Sequence, residues 1–308
     1  MEQISVTNPI GLAIERVKQV LFSPFDLGKW FTIGFCAWLA GLGEQGGSGG
    51  NFHGNSHNRN INFHQEFEHA RIYVVENLAW IVPLSLFVFA LIIVLAIVFI
   101  WLNSRGKFMF LYCVALNRSE VVTPWNYYRD LANSLFWFRL ALMGIGWVIT
   151  LPFFVFMALT AWPMFRDNSW NFAGFMLLGG LFLGLMIAGI ALLLVRKLTT
   201  DFVVPIMYLR GSRCVAAWKE FRQLLNANFG GFVLYILFQI VISIVLGVMV
   251  LAVMIVTCCI AACFFAIPYI GTVLLLPLIV FKRAYSLYYL AQFGPSYNVF
   301  QPATAMPQ

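Results

Sequence analysis

The chain has 308 residues, of which 61% are hydrophobic and 10% charged, and its mean hydropathy is +0.85. A soluble domain carries about 25% charged residues, so the composition excludes an ordinary soluble enzyme and places the chain in a membrane. The formal net charge is +7, and its distribution along the chain ties it to topology and lipid head groups rather than to nucleic acid.

The opening segment MEQISVTNPIGLAIERVKQV has an acidic residue at position 2 and no adequate apolar run before Arg16. It reads as a retained N-terminus and not as a cleaved signal peptide. Within Ala13–Phe22, Ile14, Val17 and Leu21 recur at helical spacing, with Ala13 and Val20 beside them and Arg16 and Lys18 toward the polar flank. That pattern predicts an amphipathic helix lying in the membrane interface and ended by Pro24.

Five apolar stretches follow: Leu27–Leu42, Trp80–Leu102, Trp137–Trp162, Phe172–Val195 and Phe232–Phe281. A crossing needs about 20 apolar residues. The first stretch has 16; a helix start near Asp26 and a snorkelling Lys29 bring it close to membrane length, and a re-entrant or interfacial segment is the alternative. The last has 50 uncharged residues and as one helix would rise roughly 75 Å, so it must turn. A hairpin is expected near Thr257–Cys263, with Pro268 opening the final helix. The expected fold is all-α, a polytopic transmembrane bundle of six crossings forming one membrane domain over 1–308.

Charge sets the direction. With both termini, 103–136 and 196–228 on one side, that side and Arg139 at its edge hold 16 of the 19 Lys and Arg residues. The positive-inside rule makes it cytoplasmic. Basic residues there suit anionic lipid head groups, so membrane lipids are the expected partner and nucleic acid is not.

Three segments that precede crossings look alike: AIERVKQVLFSPF, PWNYYRDLANSLF and AWKEFRQLLNANF. Trp218, Phe221, Leu224 and Leu225 give the third an apolar face, and Asn226–Asn228 with Gly230 and Gly231 are expected to end it. Upstream, GKFMFLYCVALNRSEVVTPW aligns without gaps on TTDFVVPIMYLRGSRCVAAW, and FKRAYSLYYLAQFG looks like the start of the same unit. A helical elbow followed by a hairpin, used three times, is therefore expected over 8–102, 124–195 and 217–281, with a flexible outer loop at 43–76.

Candidate sites are few. Arg129, Arg139, Arg210 and Arg222 are candidate contacts for lipid head groups or anions. Arg139 also reads as a snorkelling side chain or as a partner of Asp130 or Asp201. Thr150, Gln239 and Ser243, with Thr257, are polar positions inside the apolar stretches, fit for a polar pathway or for packing. Gly180, Gly184 and Ala188 have GxxxG-type spacing and allow close helix approach within the chain or in a homo-oligomer. Pro152 and Pro163 mark kinks or boundaries of the third crossing. His53, His57, His64 and His69 all fall in 43–76, in a glycine- and asparagine-rich setting that reads as a flexible loop rather than a metal site. The cysteines, Cys36, Cys113, Cys214, Cys258, Cys259 and Cys263, read as packing residues. No nucleophile elbow, Walker loop, HExxH helix or Rossmann glycine pattern occurs, so no catalytic residue, cofactor or metal is expected.

The pieces NPIGLAIERVKQVLFSPF, RGKFMFLYCVALNRSEVVTPW and TTDFVVPIMYLRGSRCVAAWKEF resemble poorly characterised bacterial polytopic membrane proteins, among them the membrane domain of some glycerophosphodiester phosphodiesterases. The resemblance implies a bacterial inner-membrane location and a connection to lipids. It implies no catalytic residues, since this chain carries no soluble phosphodiesterase domain. Two functions are expected to compete: first a passive pore or translocator of small solutes or ions, and second a nonenzymatic lipid-binding or membrane-organising protein.

Overall fold

A computed structural model describes residues 5–42, 78–166, 171–257, 264 and 267–300. Among these the secondary structure is entirely helical: α1 (Asn8–Val17), α2 (Leu27–Gly41), α3 (Leu78–Leu116), α4 (Val122–Tyr127), α5 (Arg129–Arg166), α6 (Phe172–Leu198), α7 (Val204–Arg210), α8 (Cys214–Ala227), α9 (Phe229–Val256), α10 (Pro268–Leu274) and α11 (Leu276–Ala291). Wide π turns at Lys18–Phe22 and Thr199–Val203 extend α1 and join α6 to α7.

Among the described residues four helical runs are long and apolar enough to cross a membrane: Ala79–Leu116, Arg129–Met164, Phe172–Arg210 and Phe229–Val256. The protein is a multi-pass membrane helical bundle. Three of the runs have 36 to 39 residues, a rise of roughly 54–58 Å against a hydrocarbon core of about 30 Å. The excess forms a second storey. On α3 the switch is abrupt: Leu84, Phe87, Phe89 and Ile92 are exposed, whereas every residue from Asn103 to Ala115 is buried. Buried stretches of α7 with the adjoining π turn (Phe202–Met207) and of α11 (Ala284–Leu290) join it in one core. The region 103–116, expected as part of an inner loop, is thus the centre of the fold.

The six-crossing expectation needs correction at both ends. Helix α2 has 15 residues, about 22 Å, and lies antiparallel to the buried half of α3. Lys29 Nζ donates to Asn117 Oδ1 at 2.8 Å, and Asn103 Nδ2 donates to the carbonyls of Ala40 (2.7 Å) and Leu42 (2.6 Å). The helix stops where the lipid-facing part of α3 begins, so Leu27–Leu42 does not run beside Trp80–Leu102. Gly106 allows the contact: a Cβ there would sit 2.5 Å from backbone atoms of Leu39 and Ala40. At the other end α9 stops at Val256; residues 258–263, where the hairpin was placed, lie outside the described set, as do 43–76. Pro268 does open a helix, but the run breaks at Leu275 into α10 and α11, of 7 and 16 residues. Neither is long enough to cross alone.

Two elbows dock on the core instead of lying free. Helix α1 packs on α11, with Ala13, Val20 and Leu21 buried and Ile14 turned outward, because the π turn advances the register by one residue per turn. Arg16 reaches the C-terminus of α3 and donates to the carbonyls of Val114 (3.0 Å) and Ala115 (2.6 Å). It satisfies carbonyls that a helix end leaves unpaired and complements the helix dipole. Helix α8 buries Cys214, Ala217 and Phe221 against the second π turn; Phe202 stacks on Phe221 at 5.4 Å. It ends at Asn228, and Gly230 and Gly231 belong to α9. The middle elbow is not a separate helix: α4 breaks at Tyr128, and Arg129–Phe136 is the first part of the helix that continues to Arg166, through Pro152 and Pro163. Helices α3 and α7 end at left-handed residues, Asn117 (φ 57) and Gly211 (φ 60), which turn the chain into the next elbow.

Candidate functional site

The boundary between the storeys is polar. Asn103, fully buried, ties three helices together: its amide nitrogen caps α2, and its Oδ1 accepts from Arg139 Nη1 of α5. Two residues further along α3, Arg105 is 8% exposed and lies between Trp101 and Trp125, 4.5 and 4.6 Å from their ring centroids, a cation–π arrangement. Lys107, 4% exposed, donates to Thr200 Oγ1, and Arg283, 8% exposed, donates to the Thr200 carbonyl at 2.6 Å. So α3, the π turn after α6, and α11 meet at Lys107, Thr200 and Arg283. Beside this junction Asp201 Oδ2 lies 3.0 Å from Lys197 Nζ and accepts from Tyr235 OH at 3.1 Å, and Tyr235 OH accepts from Gln239 Nε2 at 2.9 Å. Ionised groups at membrane depth are costly and mark function or obligatory pairing; here hydrogen bonds and aromatic faces hold them.

A groove of about 680 Å³ rises from this polar level. One wall is α3 at Ala96, Phe99 and Ile100; a second is α5 from Arg139 to Phe154; the third is α6 from Gly189 to Arg196; Leu42 closes the base. Its lining is apolar except for Thr150 at mid-height and Arg139 and Arg196 at one end. Thr150 Oγ1 donates to the Gly146 carbonyl at 2.9 Å, so its hydroxyl serves its own helix. Two glycines shape the space. A Cβ on Gly189 would meet nothing within 4 Å, and one on Gly146 would touch Leu192 at 3.4 Å. Met143, Trp147, Phe154 and Leu193 on the rim are exposed, so the groove opens toward the surroundings of the apolar layer.

The structure separates the sequence candidates. Arg139 lines the groove. Arg210 lies 3.2 Å from Glu220, whose carboxylate also accepts from Tyr297 OH at 2.9 Å. Arg129 and Arg222 are exposed at the elbows, outside the groove. Of the polar trio, Thr150 lines the groove, Gln239 is buried against Tyr235, and Ser243 is exposed on α9; no shared pathway joins them among the described residues. In the glycine set, a Cβ on Gly184 would come 2.7 Å from the Phe153 ring, whereas one on Gly180 would meet nothing within 4 Å. The α5–α6 contact therefore uses Gly184 with Gly174, which faces Met164, rather than the Gly180–Gly184–Ala188 stripe. Cys36, Cys113 and Cys214 are buried free thiols, with the Cys36 and Cys113 sulfurs 3.9 Å apart; burial pushes the Cys214 thiol up to about 12. The four histidines and Cys258, Cys259 and Cys263 lie outside the described residues. Sequence reasoning missed Arg196, Gly146 and Gly189 as parts of one site. Arg196 reads as a flank of a crossing, and only the packing of α3, α5 and α6 makes it a neighbour of Arg139.

The chain belongs to a family of unknown function, DUF7544, whose pattern covers residues 4–291. No curated protein and no solved structure matches it.

Proposed function

We propose that the protein is a nonenzymatic lipid-binding membrane protein that holds an anionic lipid at the base of the groove. The observation that carries this reading is the groove itself: an apolar trough between α3, α5 and α6 with two guanidinium groups, Arg139 and Arg196, at one end. Apolar walls suit acyl chains, and guanidinium forks suit phosphate. The alternative, a passive pore or small-solute translocator, finds less support, because Gln239 is spent on Tyr235 and Ser243 faces outward.

The reading includes an orientation. The basic storey is cytoplasmic by its charge, in a bacterial inner membrane, with both termini there. The crossings this reading uses are the four long helical runs, with α2 and α11 contributing to the buried core. The threefold repeat is part of the same reading. In the gapless alignment Lys107 falls on Thr200, and these two residues touch; Gly211 and Gly294, each eleven residues beyond a junction residue, Thr200 and Arg283, both have positive φ. The resemblance to the membrane domain of glycerophosphodiester phosphodiesterases agrees with a lipid role and brings no chemistry with it.

Native mass spectrometry of the full chain in mild detergent tests the reading, after exposure to vesicles of phosphatidylglycerol or of phosphatidylcholine. Retention of phosphatidylglycerol in stoichiometric amount is expected. Absence of retained lipid, together with protein-dependent ion flux through sealed liposomes, would replace it with the pore reading.

A further inference from the structure

Resting on the lipid reading, we infer that the groove is a slot for one acyl chain of a phospholipid from the basic-side leaflet, with the phosphate at Arg139 and Arg196 and the second chain left in the bilayer. Length supports this. From Arg139 to Phe154 the α5 wall rises about 22 Å, which spans one leaflet of roughly 15 Å, half the hydrocarbon core. Volume agrees. The groove holds about 680 Å³, within the roughly 300–1,000 Å³ of pockets that take an organic ligand. The arginines lie at the end level with Asn103, where the lipid-facing surface of α3 gives way to the buried storey, so a head group there stays at the interface while its chain lies along the apolar wall. Charge complementarity selects an anionic head, and the phosphate, common to all phospholipids, is the group that two guanidiniums recognise. The open flank at Trp147 and Leu193 lets the second chain remain outside. Gly189 leaves its part of the slot open, and a Cβ there would meet nothing within 4 Å.

The experiment is photo-crosslinking of the full chain in liposomes with phosphatidylglycerol carrying a diazirine midway along one acyl chain, followed by peptide mapping. Crosslinks concentrated on 142–154 and 189–193 are expected, with at least a fivefold loss in Gly189→Leu and in Ala96→Phe, which fills the slot from the opposite wall. Two variants are used so that a folding failure in one leaves the other to decide. Inorganic phosphate at millimolar concentration should leave the crosslinks in place, since the chain and not the phosphate alone holds the ligand. Crosslinks spread evenly over the lipid-facing surfaces of α3 and α9, or unchanged in both folded variants, would overturn the acyl slot. If the lipid were still retained in native mass spectrometry, the lipid-binding reading would survive that failure; loss of retention in the unaltered protein would remove both.

Discussion

Replacing Gly106 by alanine tests the packing of α2 on α3 with a single methyl group. In a helix interior the change should help, since alanine is favoured over glycine by about 1 kcal/mol. Here the new Cβ would stand 2.5 Å from the carbonyl carbon of Leu39 and the nitrogen of Ala40, and 2.7 Å from the Leu39 Cβ. Two of the three obstructing atoms are backbone, so no rotamer change relieves them; α2 as a whole must shift. Such a shift also strains the two hydrogen bonds by which Asn103 caps α2. Overpacking costs about 1–3 kcal/mol or more, and straining those bonds adds on the order of 1 kcal/mol. After the propensity gain, a net loss of about 2 kcal/mol is expected, which by soluble-domain scaling lowers Tm by at least about 4 °C. Gly180→Ala is the control, because its Cβ would meet nothing within 4 Å, and it should raise Tm slightly or leave it unchanged. The assay is thermal unfolding of the purified chain in detergent, followed by far-ultraviolet circular dichroism. If Gly106→Ala melts within about 1 °C of the unaltered protein while Gly180→Ala behaves as expected, the close crossing of α2 and α3 is wrong.

Other outcomes follow from the same geometry. Gly184→Leu should lower thermal stability by about 1–3 kcal/mol, since its first carbon already lies 2.7 Å from Phe153; an unchanged melting curve and oligomeric mass would sink this. Arg139→Ala should reduce phosphatidylglycerol retention in native mass spectrometry more than it reduces Tm; equal retention would leave Arg139 a structural role beside Asn103. Asn103→Ala should cost about 1–2 kcal/mol, because two carbonyls at the end of α2 lose their donor, read as a fall in Tm. Cys214, with its thiol pushed up to about 12 from the ordinary 9.0, holds about a thousandfold less thiolate at neutral pH than a free cysteine; at pH 7 maleimide should label it only after unfolding, and rapid labelling of the folded chain would contradict its burial.

Much of the architecture was legible because lipid imposes a simple requirement: long uninterrupted apolar segments. Trp80–Leu102, Trp137–Trp162 and Phe172–Val195 each fall inside one long helix. The error lay at the ends of those segments. Arg105 and Lys107 read as the basic flank where a crossing stops, yet the helix continues for another nine residues past Lys107. What makes this possible is supplied from far away in the chain, by Trp125 for Arg105 and by Thr200 for Lys107. The apolar stretch FMFLYCVAL was the available signal that 103–116 is core. The short α2 was read as a crossing for the opposite reason: burial among protein helices selects the same side chains, Ile33, Cys36, Ala37 and Leu39, that lipid would. As for the site, Arg139 stood out as a charge in an apolar setting, while the groove depends on which helices are neighbours, and no local pattern encodes that.

The helices that pass from the apolar layer into the core without a break have a mechanical consequence. A continuous helix carries a change of tilt along its length. When the bilayer thins or thickens, a spanning helix adjusts its tilt to keep its apolar length matched, and α3 cannot do so above Asn103 without swinging Lys107 below it. The same holds for α6, which runs through its π turn into α7. A variant that changed the tilt of α3 would therefore be expected to disturb the contacts at Lys107, Thr200 and Arg283, because the same helix carries Lys107 into that junction.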